Sequence, residues 1–273
     1  MSRIAGRFEA LKAQGKTALV TYTVAGDPTL DTTVPLLHAL VEAGADIVEL
    51  GFPFSDPMAE GAVIQLGHER ALANGASLKQ VLAMIAEFRT TDADTPVVLM
   101  GYANPIEAMG YDTFAGAASA AGVDAVIAVD IPPEEVECIG GALRANDMDA
   151  IFLVAPTTPQ ARIERIVSQA SGFIYCVAVK GVTGAGNLDT QAVAEQVGAI
   201  RAHTKLPIAV GFGIKDADSA QKVALAADGV VVGSALVSVA AEAAAQGGDS
   251  KAVVAAAAGL LREIRAGIDA AAS

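Results

Sequence analysis

The fold can be read outward from the stretch Ala43-Gly44-Ala45-Asp46-Ile47-Val48-Glu49-Leu50-Gly51. Its last five residues are apolar apart from Glu49, a pattern typical of a parallel strand that is buried on both faces. Gly44 can supply the left-handed stop of a preceding helix, and Asp46 occupies the turn before the strand. The stretch therefore predicts a helix that ends directly before a buried parallel strand.

The same helix-to-strand junction returns as Ala121-Gly122-Val123-Asp124 and as Ala226-Ala227-Asp228-Gly229, which is a weak internal repeat. Around these junctions, short β-branched runs alternate with amphipathic segments. The predicted strands cover residues 18–23, 47–51, 97–102, 125–129, 150–154, 173–179, 208–211 and 229–232. The predicted helices cover residues 32–42, 63–73, 78–89, 111–120, 134–146, 159–168, 190–204 and 218–226, with flanking helices at about 4–13 and 251–270.

This alternation of strands and helices predicts a parallel sheet with right-handed crossovers. Eight strand–helix units within 273 residues fit an α/β fold of the (β/α)₈ TIM-barrel type with an extra N-terminal helix. A doubly wound open sheet is the rival, but no Gly-x-Gly-x-x-Gly follows the first predicted strand. No linker, charge run or low-complexity stretch divides the chain, so we expect a single domain over residues 1–273.

Composition and charge restrict the class of partner. The formal net charge of −13 makes nucleic acid and anionic membranes poor partners for the surface as a whole. Cys138 and Cys176 have no Cys-x-x-Cys spacing, which indicates a reducing compartment and neither a metal nor a disulfide role. The apolar runs are too short to span a bilayer, and the first residues lack the apolar core of a signal peptide. We therefore expect a cytoplasmic protein.

Glu49 is the first candidate for chemistry because it lies near the carboxyl end of an otherwise apolar strand. A carboxylate there loses hydration unless it has a partner or a task. One interpretation is a structural glutamate in a salt bridge, and the other is a general acid–base group whose pKa is raised by apolar walls. The loop that follows favours the second interpretation, because we expect it to bring Asp56 and Glu60 back toward the same strand end.

Glycines mark the opposite side of the predicted barrel mouth. Gly181-Val182-Thr183-Gly184 follows the sixth predicted strand, Gly211-Phe212-Gly213-Ile214 follows the seventh, and Gly233-Ser234 follows the eighth. Glycine lets backbone amides approach an anion, and a helix that begins at Ser234 would direct its first amides inward. Each glycine alone is more simply a turn residue. Three clusters on consecutive strand ends favour a phosphate site, in the place where such barrels commonly hold phosphate.

Other titratable residues are weaker candidates. His38, His68 and His203 fall on predicted helices and not at strand ends, which argues against a histidine base. Lys180 follows the sixth predicted strand, where a Schiff-base lysine of an aldolase could lie. Lys180 is more simply a solvated loop cation, but it keeps the aldolase hypothesis open.

These motifs together resemble the family of tryptophan synthase alpha subunits over essentially the whole chain. The most specific match is Glu49-Leu50-Gly51-x-Pro53-Phe54-Ser55-Asp56-Pro57 after the second strand. The other matching motifs are Ala25-Gly26-Asp27-Pro28, Tyr102-x-Asn104-Pro105, Asp130-Ile131-Pro132-Pro133-Glu134-Glu135, Ala155-Pro156-Thr157, Gly181-Val182-Thr183-Gly184, Gly211-Phe212-Gly213-Ile214 and Gly233-Ser234.

The resemblance implies a cofactor-free retro-aldol cleavage of indole-3-glycerol phosphate to indole and glyceraldehyde 3-phosphate, in the last steps of tryptophan biosynthesis. It implies a pyridoxal-phosphate-dependent beta subunit as partner, in an alpha2-beta2 tetramer, and no metal. The docking surface would be the carboxyl-terminal rim of the barrel, at residues 53–60, 102–108 and 130–135. Pro53, Met58 and Ile106 are among the apolar residues that we expect to be exposed there.

The resemblance also implies roles for individual residues. Glu49 would move protons at the reacting carbon, and Glu60 would take the place of the family's aspartate at the indole nitrogen. Substrate would contact Tyr22, Met100, Tyr102, Ile127, Tyr175, Thr183 and Val231. Phosphate would bind at Gly184, Gly213, Gly233 and Ser234.

The sequence departs from the family pattern in two places. Glu60 stands where the family has aspartate and is followed by Ala62 in place of the usual proline, while Ala178 and Val179 replace a common Ser-Arg pair. The exchange at position 60 leaves an alternative open, in which the chain is a weakly catalytic activator of the beta subunit. The aldolase hypothesis with Lys180 is the third.

Overall fold

One parallel sheet forms the centre of the protein. The computed structural model describes residues 2–178, 190–211 and 213–271. Within them the strands are β1 (Ala18–Val24), β2 (Ile47–Gly51), β3 (Val97–Gly101), β4 (Ala125–Ala128), β5 (Asp149–Ala150), β6 (Phe152–Val154), β7 (Ile174–Val177), β8 (Ile208–Gly211) and β9 (Gly229–Val232). Neighbours pair in parallel in the order β5-β4-β3-β2-β1-β9-β8-β7-β6.

The two ends of this order meet at a single residue. β5 pairs with β4, β6 pairs with β7, and only Ile151 separates β5 from β6. The N–H of Ile151 donates to the Val126 carbonyl at 3.1 Å, so the chain continues the sheet through this point. The predicted TIM barrel is confirmed. The predicted fifth strand, residues 150–154, is divided because its two halves bond to different neighbours.

Helices surround the barrel and close its amino-terminal end. In the described part of the chain they are α1 (Arg3–Ala13), α2 (Thr33–Glu42), α3 (Ala62–Ala73), α4 (Leu78–Arg89), α5 (Ala103–Met109), α6 (Tyr111–Ala121), α7 (Glu137–Ala145), α8 (Gln160–Gln169), α9 (Thr190–Arg201), α10 (Ala217–Ala224), α11 (Ser234–Ala245) and α12 (Ser250–Ala271). The sequence did not predict α5, which contains Pro105 as its third residue. A proline in the first turn is compatible with a helix, since the N–H it lacks has no intrahelical partner there.

Side chains from the strands and from α1 fill the lower barrel interior. Phe8 of α1 lies against Phe173 with the ring centroids 5.8 Å apart, so α1 plugs the amino-terminal opening. The interior cluster includes Ile4, Phe8, Leu11, Val20, Tyr22, Ile47, Val98, Met100, Ile127, Phe173 and Val231. A larger apolar cluster lies between the sheet and the outer helices. The interior is therefore closed below, and chemistry is confined to the carboxyl ends of the strands.

The repeated aspartates explain the weak internal repeat of the sequence. Each lies before a strand and accepts, at 2.8–2.9 Å, a backbone N–H near the start of a neighbouring strand. Each also pairs with an arginine: Asp46 with Arg265 at 3.2 Å, Asp124 with Arg89 at 2.8 Å, and Asp228 with Arg201 at 2.9 Å. The repeat thus fixes strand starts at the amino-terminal face. Gly44 (φ 107°) and Gly122 (φ 93°) have the expected left-handed backbone.

Candidate active site

Glu49 projects from β2 into the barrel interior and is fully buried. The register of the sheet places it beside Tyr22 of β1, on the same inner face. Neither carboxylate oxygen has a hydrogen-bond partner among the described residues. Burial, together with the negative charge of Glu60, raises the pKa of Glu49 to about 8. An unpartnered buried acid is exceptional in native proteins, where such groups are normally hydrogen-bonded.

The segment between β2 and α3, residues 52–61, carries the second carboxylate to the same end of the barrel. We call it the strand-two loop. Glu60 is half-buried, and burial raises its pKa to about 7. Its N–H donates to the Pro57 carbonyl at 3.0 Å, and its own carbonyl accepts from the Gln65 side chain at 2.9 Å. These two bonds fix the backbone that holds Glu60.

Asp56, in the same loop, does not join the acid pair. Its side chain is exposed, and it accepts the hydroxyl proton of Ser55 at 2.6 Å. The expectation that Asp56 returns toward the strand end was wrong, because the carboxylate hydrogen-bonds its own loop and remains in solvent. Glu60 alone reaches the site from this segment.

Tyr102 supports the strand-two loop from below. Its buried ring stacks on Phe54 with the centroids 5.1 Å apart and the planes at 28°. Its hydroxyl oxygen accepts the N–H of Ala59 at 3.0 Å, one residue before Glu60. Burial raises the pKa of Tyr102 to about 12, so the ring remains a neutral phenol. The aromatic pair therefore positions the backbone next to the second carboxylate.

The apolar residues expected around the substrate line the barrel near Glu49. Tyr22, Met100, Ile127 and Val231 belong to the interior cluster, and Tyr175 packs against it. Burial, and then the charges of Glu49 and Glu60, raises the pKa values of Tyr22 and Tyr175 well above the usual range. Both remain neutral phenols and can donate hydrogen bonds.

Glycines make room for these two tyrosines. The Tyr22 hydroxyl lies directly against Gly51, and the Tyr175 hydroxyl is 2.5 Å from the place where a Cβ on Gly211 would stand. Any side chain at either position would collide with a phenol. These glycines are therefore required by close approach, which the sequence showed only as strand ends.

On the other side of the mouth, the structure describes part of the expected phosphate site. α11 begins at Ser234 with Gly233 as its N-cap. The Gly233 carbonyl accepts the N–H of Leu236, which closes the first turn of the helix. The amides of Ser234 and Ala235 have no intrahelical acceptor, as at any helix start. Gly213 has φ 79° in the loop after β8. Thr183, Gly184 and Lys180 lie outside the described residues.

A family model described as tryptophan synthase alpha chain matches residues 8–266. The chain belongs to the tryptophan synthase alpha chain family. The alpha chain of Thioalkalivibrio sulfidiphilus is 62% identical over 237 residues, covering 87% of this chain and 89% of that protein. The alpha chain of Thiobacillus denitrificans is 60% identical over 237 residues, covering 87% of both proteins. A crystal structure of the subunit from Legionella pneumophila is 44% identical, with a TM-score of 0.91 and 99% of each chain covered.

Membership in the alpha chain family gives the reaction. The chain is a lyase that cleaves indole-3-glycerol phosphate to indole and glyceraldehyde 3-phosphate, as the resemblance implied. The alpha chain carries no cofactor, and pyridoxal phosphate belongs to the beta subunit. No cluster of three or more potential metal ligands occurs in the described ranges. No helix within them is long and apolar enough to cross a membrane.

His68 is a residue of this alpha chain site that the sequence did not indicate. It lies on α3 and only 1% of it is exposed. Its Nδ1 accepts the N–H of Phe54 at 3.0 Å, and its Nε2 is 3.4 Å from the hydroxyl of Tyr22. The sequence candidates lie at predicted strand ends, whereas His68 reaches the mouth from a helix. Nothing in the sequence around His68 distinguishes it from an ordinary helix residue.

Proposed function

We propose that Glu49 is the acid–base catalyst of the cleavage and that Glu60 interacts with the indole N–H. One observation carries this proposal: Glu49 is fully buried beside a second carboxylate, and its oxygens have no partner in the described part of the chain. A pKa of about 8 leaves Glu49 largely protonated at neutral pH. A pKa of about 7 leaves Glu60 partly ionised. The pair therefore offers one proton to give and one carboxylate to receive.

In the proposed mechanism, protonated Glu49 gives its proton to C3 of the indole. The ring becomes cationic and attracts the electron pair of the bond to the glycerol chain, while Glu60 stabilises the N–H as positive charge develops. The adjacent glycerol hydroxyl then loses its proton to the carboxylate of Glu49. The carbon–carbon bond breaks, its electron pair restores neutral indole, and the former alcohol carbon becomes the aldehyde of glyceraldehyde 3-phosphate. Glu49 ends protonated, as it began.

The apolar walls would hold the indole ring in place. Tyr22, Met100, Ile127 and Val231 belong to the interior apolar cluster, which α1 closes from below. An indole between these walls excludes water from Glu49, which keeps its pKa raised. Tyr175 stands over Gly211 on the side of the glycines and would contact the glycerol chain. We place Tyr102 in the support of the strand-two loop, as its contacts with Phe54 and Ala59 indicate.

Backbone amides would bind the phosphate. The start of α11 offers two amides without intrahelical acceptors and the positive end of a 12-residue helix dipole. Gly233 and Ser234 form this helix start, and we propose that Gly213 and Gly184 complete the site from the segments after β8 and β7. We therefore expect glycine backbone, and not a positive side chain, to give most of the affinity.

We further propose a beta subunit as partner in an alpha2-beta2 tetramer, in the cytoplasm. Family membership supports it, as does likeness to tryptophan synthase from Mycobacterium tuberculosis in its aminoacrylate-bound form, with 33% identity and a TM-score of 0.86. Met58, which is 78% exposed, gives the strand-two loop at the barrel rim an apolar surface. Pro53 and Ile106 are buried, so the expectation that they are exposed there was wrong.

No observation in the described residues supports the activator alternative. Glu60 keeps a titratable carboxylate with a raised pKa in the strand-two loop, as an acid there requires. Lys180, on which the aldolase alternative depends, is outside the described residues. Indole release by the chain alone and with a beta subunit separates catalysis from pure activation. Borohydride trapping with a sugar phosphate would label Lys180 only in an aldolase.

Substitution of Glu49 by glutamine tests the proposed roles. Glu49→Gln should lower the rate of indole release by about 10³-fold or more, because general acid–base catalysis contributes roughly 10²–10⁴-fold and one group serves two steps here. Asp56→Asn is the matched control, since it neutralises an exposed acid of the adjoining loop, and its rate should stay within about twofold. Indole release by Glu49→Gln near the rate of the unmodified chain would end the proposal.

A further inference from the structure

The mechanism above makes no use of His68, although this residue is buried between two of its parts. Its Nδ1 lies 3.0 Å from the N–H of Phe54, in the strand-two loop. Its Nε2 lies 3.4 Å from the hydroxyl oxygen of Tyr22, in β1. These partners are 14 and 46 residues away in the sequence, so the imidazole joins a loop to the barrel wall.

The contact with Phe54 fixes the tautomer of His68. A backbone N–H can only donate, so Nδ1 must accept and carries no proton. Burial lowers the pKa of His68 to about 4, and the ring is therefore neutral at physiological pH. The single ring proton is then on Nε2, which can donate only toward Tyr22. The hydroxyl of Tyr22 accepts this bond and keeps its own proton free to point elsewhere.

The side chain of Tyr22 extends across the carboxyl end of β2. It is paired in register with Glu49, and its ring crosses Gly51 so that the hydroxyl lies against that glycine. The hydroxyl therefore lies two residues beyond Glu49, at the carboxyl end of β2. After burial, the negative charges of Glu60 and Glu49 raise the pKa of Tyr22, so the phenol is within electrostatic reach of both carboxylates.

α3, which carries His68, is itself held to the loop after β1. Arg70 donates two hydrogen bonds to the buried carboxylate of Asp27, at 2.7 and 2.9 Å. The side chain of Asn74 donates to the carbonyls of Gly26 at 3.0 Å and Pro28 at 2.6 Å. These bonds at Arg70 and Asn74, both of which follow His68 in the chain, hold the helix that carries the imidazole in a fixed position.

We propose that His68 is a positioning residue that fixes the strand-two loop and the Tyr22 hydroxyl relative to each other, so that Glu60, Tyr22 and Glu49 face one substrate. The proposal rests on the roles given to Glu49 and Glu60 above. Because His68 occupies both ring nitrogens with protein partners, it acts through Phe54 and Tyr22 and not on the substrate. A loop displaced by about 1 Å can lower a rate by 10²-fold, which sets the size of the effect to expect.

Three variants separate the two contacts of His68. His68→Asn keeps a short amide acceptor for the Phe54 N–H but cannot reach Tyr22, Tyr22→Phe removes only the hydroxyl, and His68→Leu removes both contacts. We expect kcat for indole release to fall about 10-fold in the first two variants and about 10²-fold in His68→Leu, with smaller changes in KM. His38→Leu is the matched control, because His38 lies on α2 and bonds Thr91, and its kcat should not change.

The double variant His68→Asn/Tyr22→Phe decides whether His68 acts through Tyr22. If it does, the double variant should lose no more than about 10-fold, because the second substitution removes a contact that is already broken. Losses that multiply to about 10²-fold would overturn the coupling. A kcat for folded His68→Leu within twofold of the unmodified chain would overturn the proposal, and if that variant fails to fold, the same criterion applies to His68→Asn. An active Glu49→Gln would contradict the acid roles alone.

Discussion

At the amino-terminal end of the barrel, Asp46, Asp124 and Asp228 each accept a backbone N–H and pair with an arginine. At the carboxyl-terminal end, Glu49 is fully buried, and its carboxylate has no such partner among the described residues. A buried acid with complete partners stabilises the ends of strands, whereas one without partners stays protonated and available for reaction. The structural acids and the reactive acid thus lie at opposite ends of the strands.

Removal of a structural acid tests whether the acids at the amino-terminal end stabilise the fold. Asp124→Ala removes the carboxylate 2.8 Å from Arg89, whose side chain is only 11% exposed, and leaves it only the carboxylate of Asp92, at 3.9 Å, among the described residues. It also leaves the N–H of Val97 without its acceptor. We expect the free energy of unfolding to fall by about 4 kcal/mol, as for other broken buried pairs, with kcat for indole release nearly unchanged. Urea unfolding and the indole assay check the two halves of the prediction.

Asp218→Ala is the matched control for Asp124→Ala. Asp218 pairs with Lys222 on the exposed face of α10 at 2.5 Å, and such surface pairs contribute at most about 1 kcal/mol. Equal losses of stability in Asp124→Ala and Asp218→Ala would mean that the contacts of Asp124 stabilise the fold no more than an exposed ion pair does.

The pKa of Glu49, the reactive acid, also predicts how the free energy of unfolding depends on pH. The pKa of Glu49 is about 8 in the folded protein and 4.5 in a model peptide. Between these values the folded state binds more protons than the unfolded state, so this group makes stability fall as pH rises from about 4.5 to about 8. Glu49→Gln lacks this loss. The variant should be close to the unmodified chain in stability at pH 5 and more stable by roughly 4 kcal/mol at pH 9, because one unit of pKa shift corresponds to about 1.4 kcal/mol.

Thermal melts of both proteins at pH 5 and pH 9 measure this difference. A stability gain of Glu49→Gln that is equal at the two pH values would mean that the carboxyl group does not titrate with a raised pKa. A loss of stability at pH 9 would mean that Glu49 is ionised and paired in the folded protein.

Much of this arrangement could be predicted from the sequence, and the reasons are local. β2, β8, β9 and α4 have the predicted bounds, because continuous apolar runs end at glycine and because Ser77 caps α4. Glu49 stood out as one acid in an apolar strand. These features depend on residues that are neighbours in the chain.

The rest depends on contacts between distant segments. The division of the fifth strand at Ile151 arises from its pairing with two different neighbours. His68 looks like an ordinary residue on the inner face of a helix, until the fold brings it to Tyr22. Pro53 and Ile106 were expected at the surface, but both are buried in the folded chain. None of these outcomes has a signal within one segment of sequence.

On the glycine side of the mouth, substitutions of Ser234 have the smallest expected effects. Ser234→Ala should weaken binding of glycerol phosphate only about twofold, because the amides of α11 are unchanged. Ser234→Asp should weaken it by about 10-fold or more through charge repulsion at the helix start, while the neutral Ser234→Asn should behave like Ser234→Ala.

Calorimetric titration with glycerol phosphate measures these affinities. Gly213→Val, which forces a branched side chain onto a backbone with φ 79°, should prevent binding altogether. Unchanged affinity in Ser234→Asp and in Gly213→Val would show that the anion binds elsewhere.

Infrared difference spectroscopy of isotope-labelled protein can show whether Glu49 is protonated at neutral pH. Subtraction of the spectrum of Glu49→Gln isolates the carboxyl band of this residue across pH. We predict that the protonated carboxyl band persists through neutral pH and disappears near pH 8. In Glu60→Gln, which lacks one negative charge, the band should disappear at a lower pH. A carboxylate band already complete at pH 6, unaffected by Glu60→Gln, would contradict this prediction.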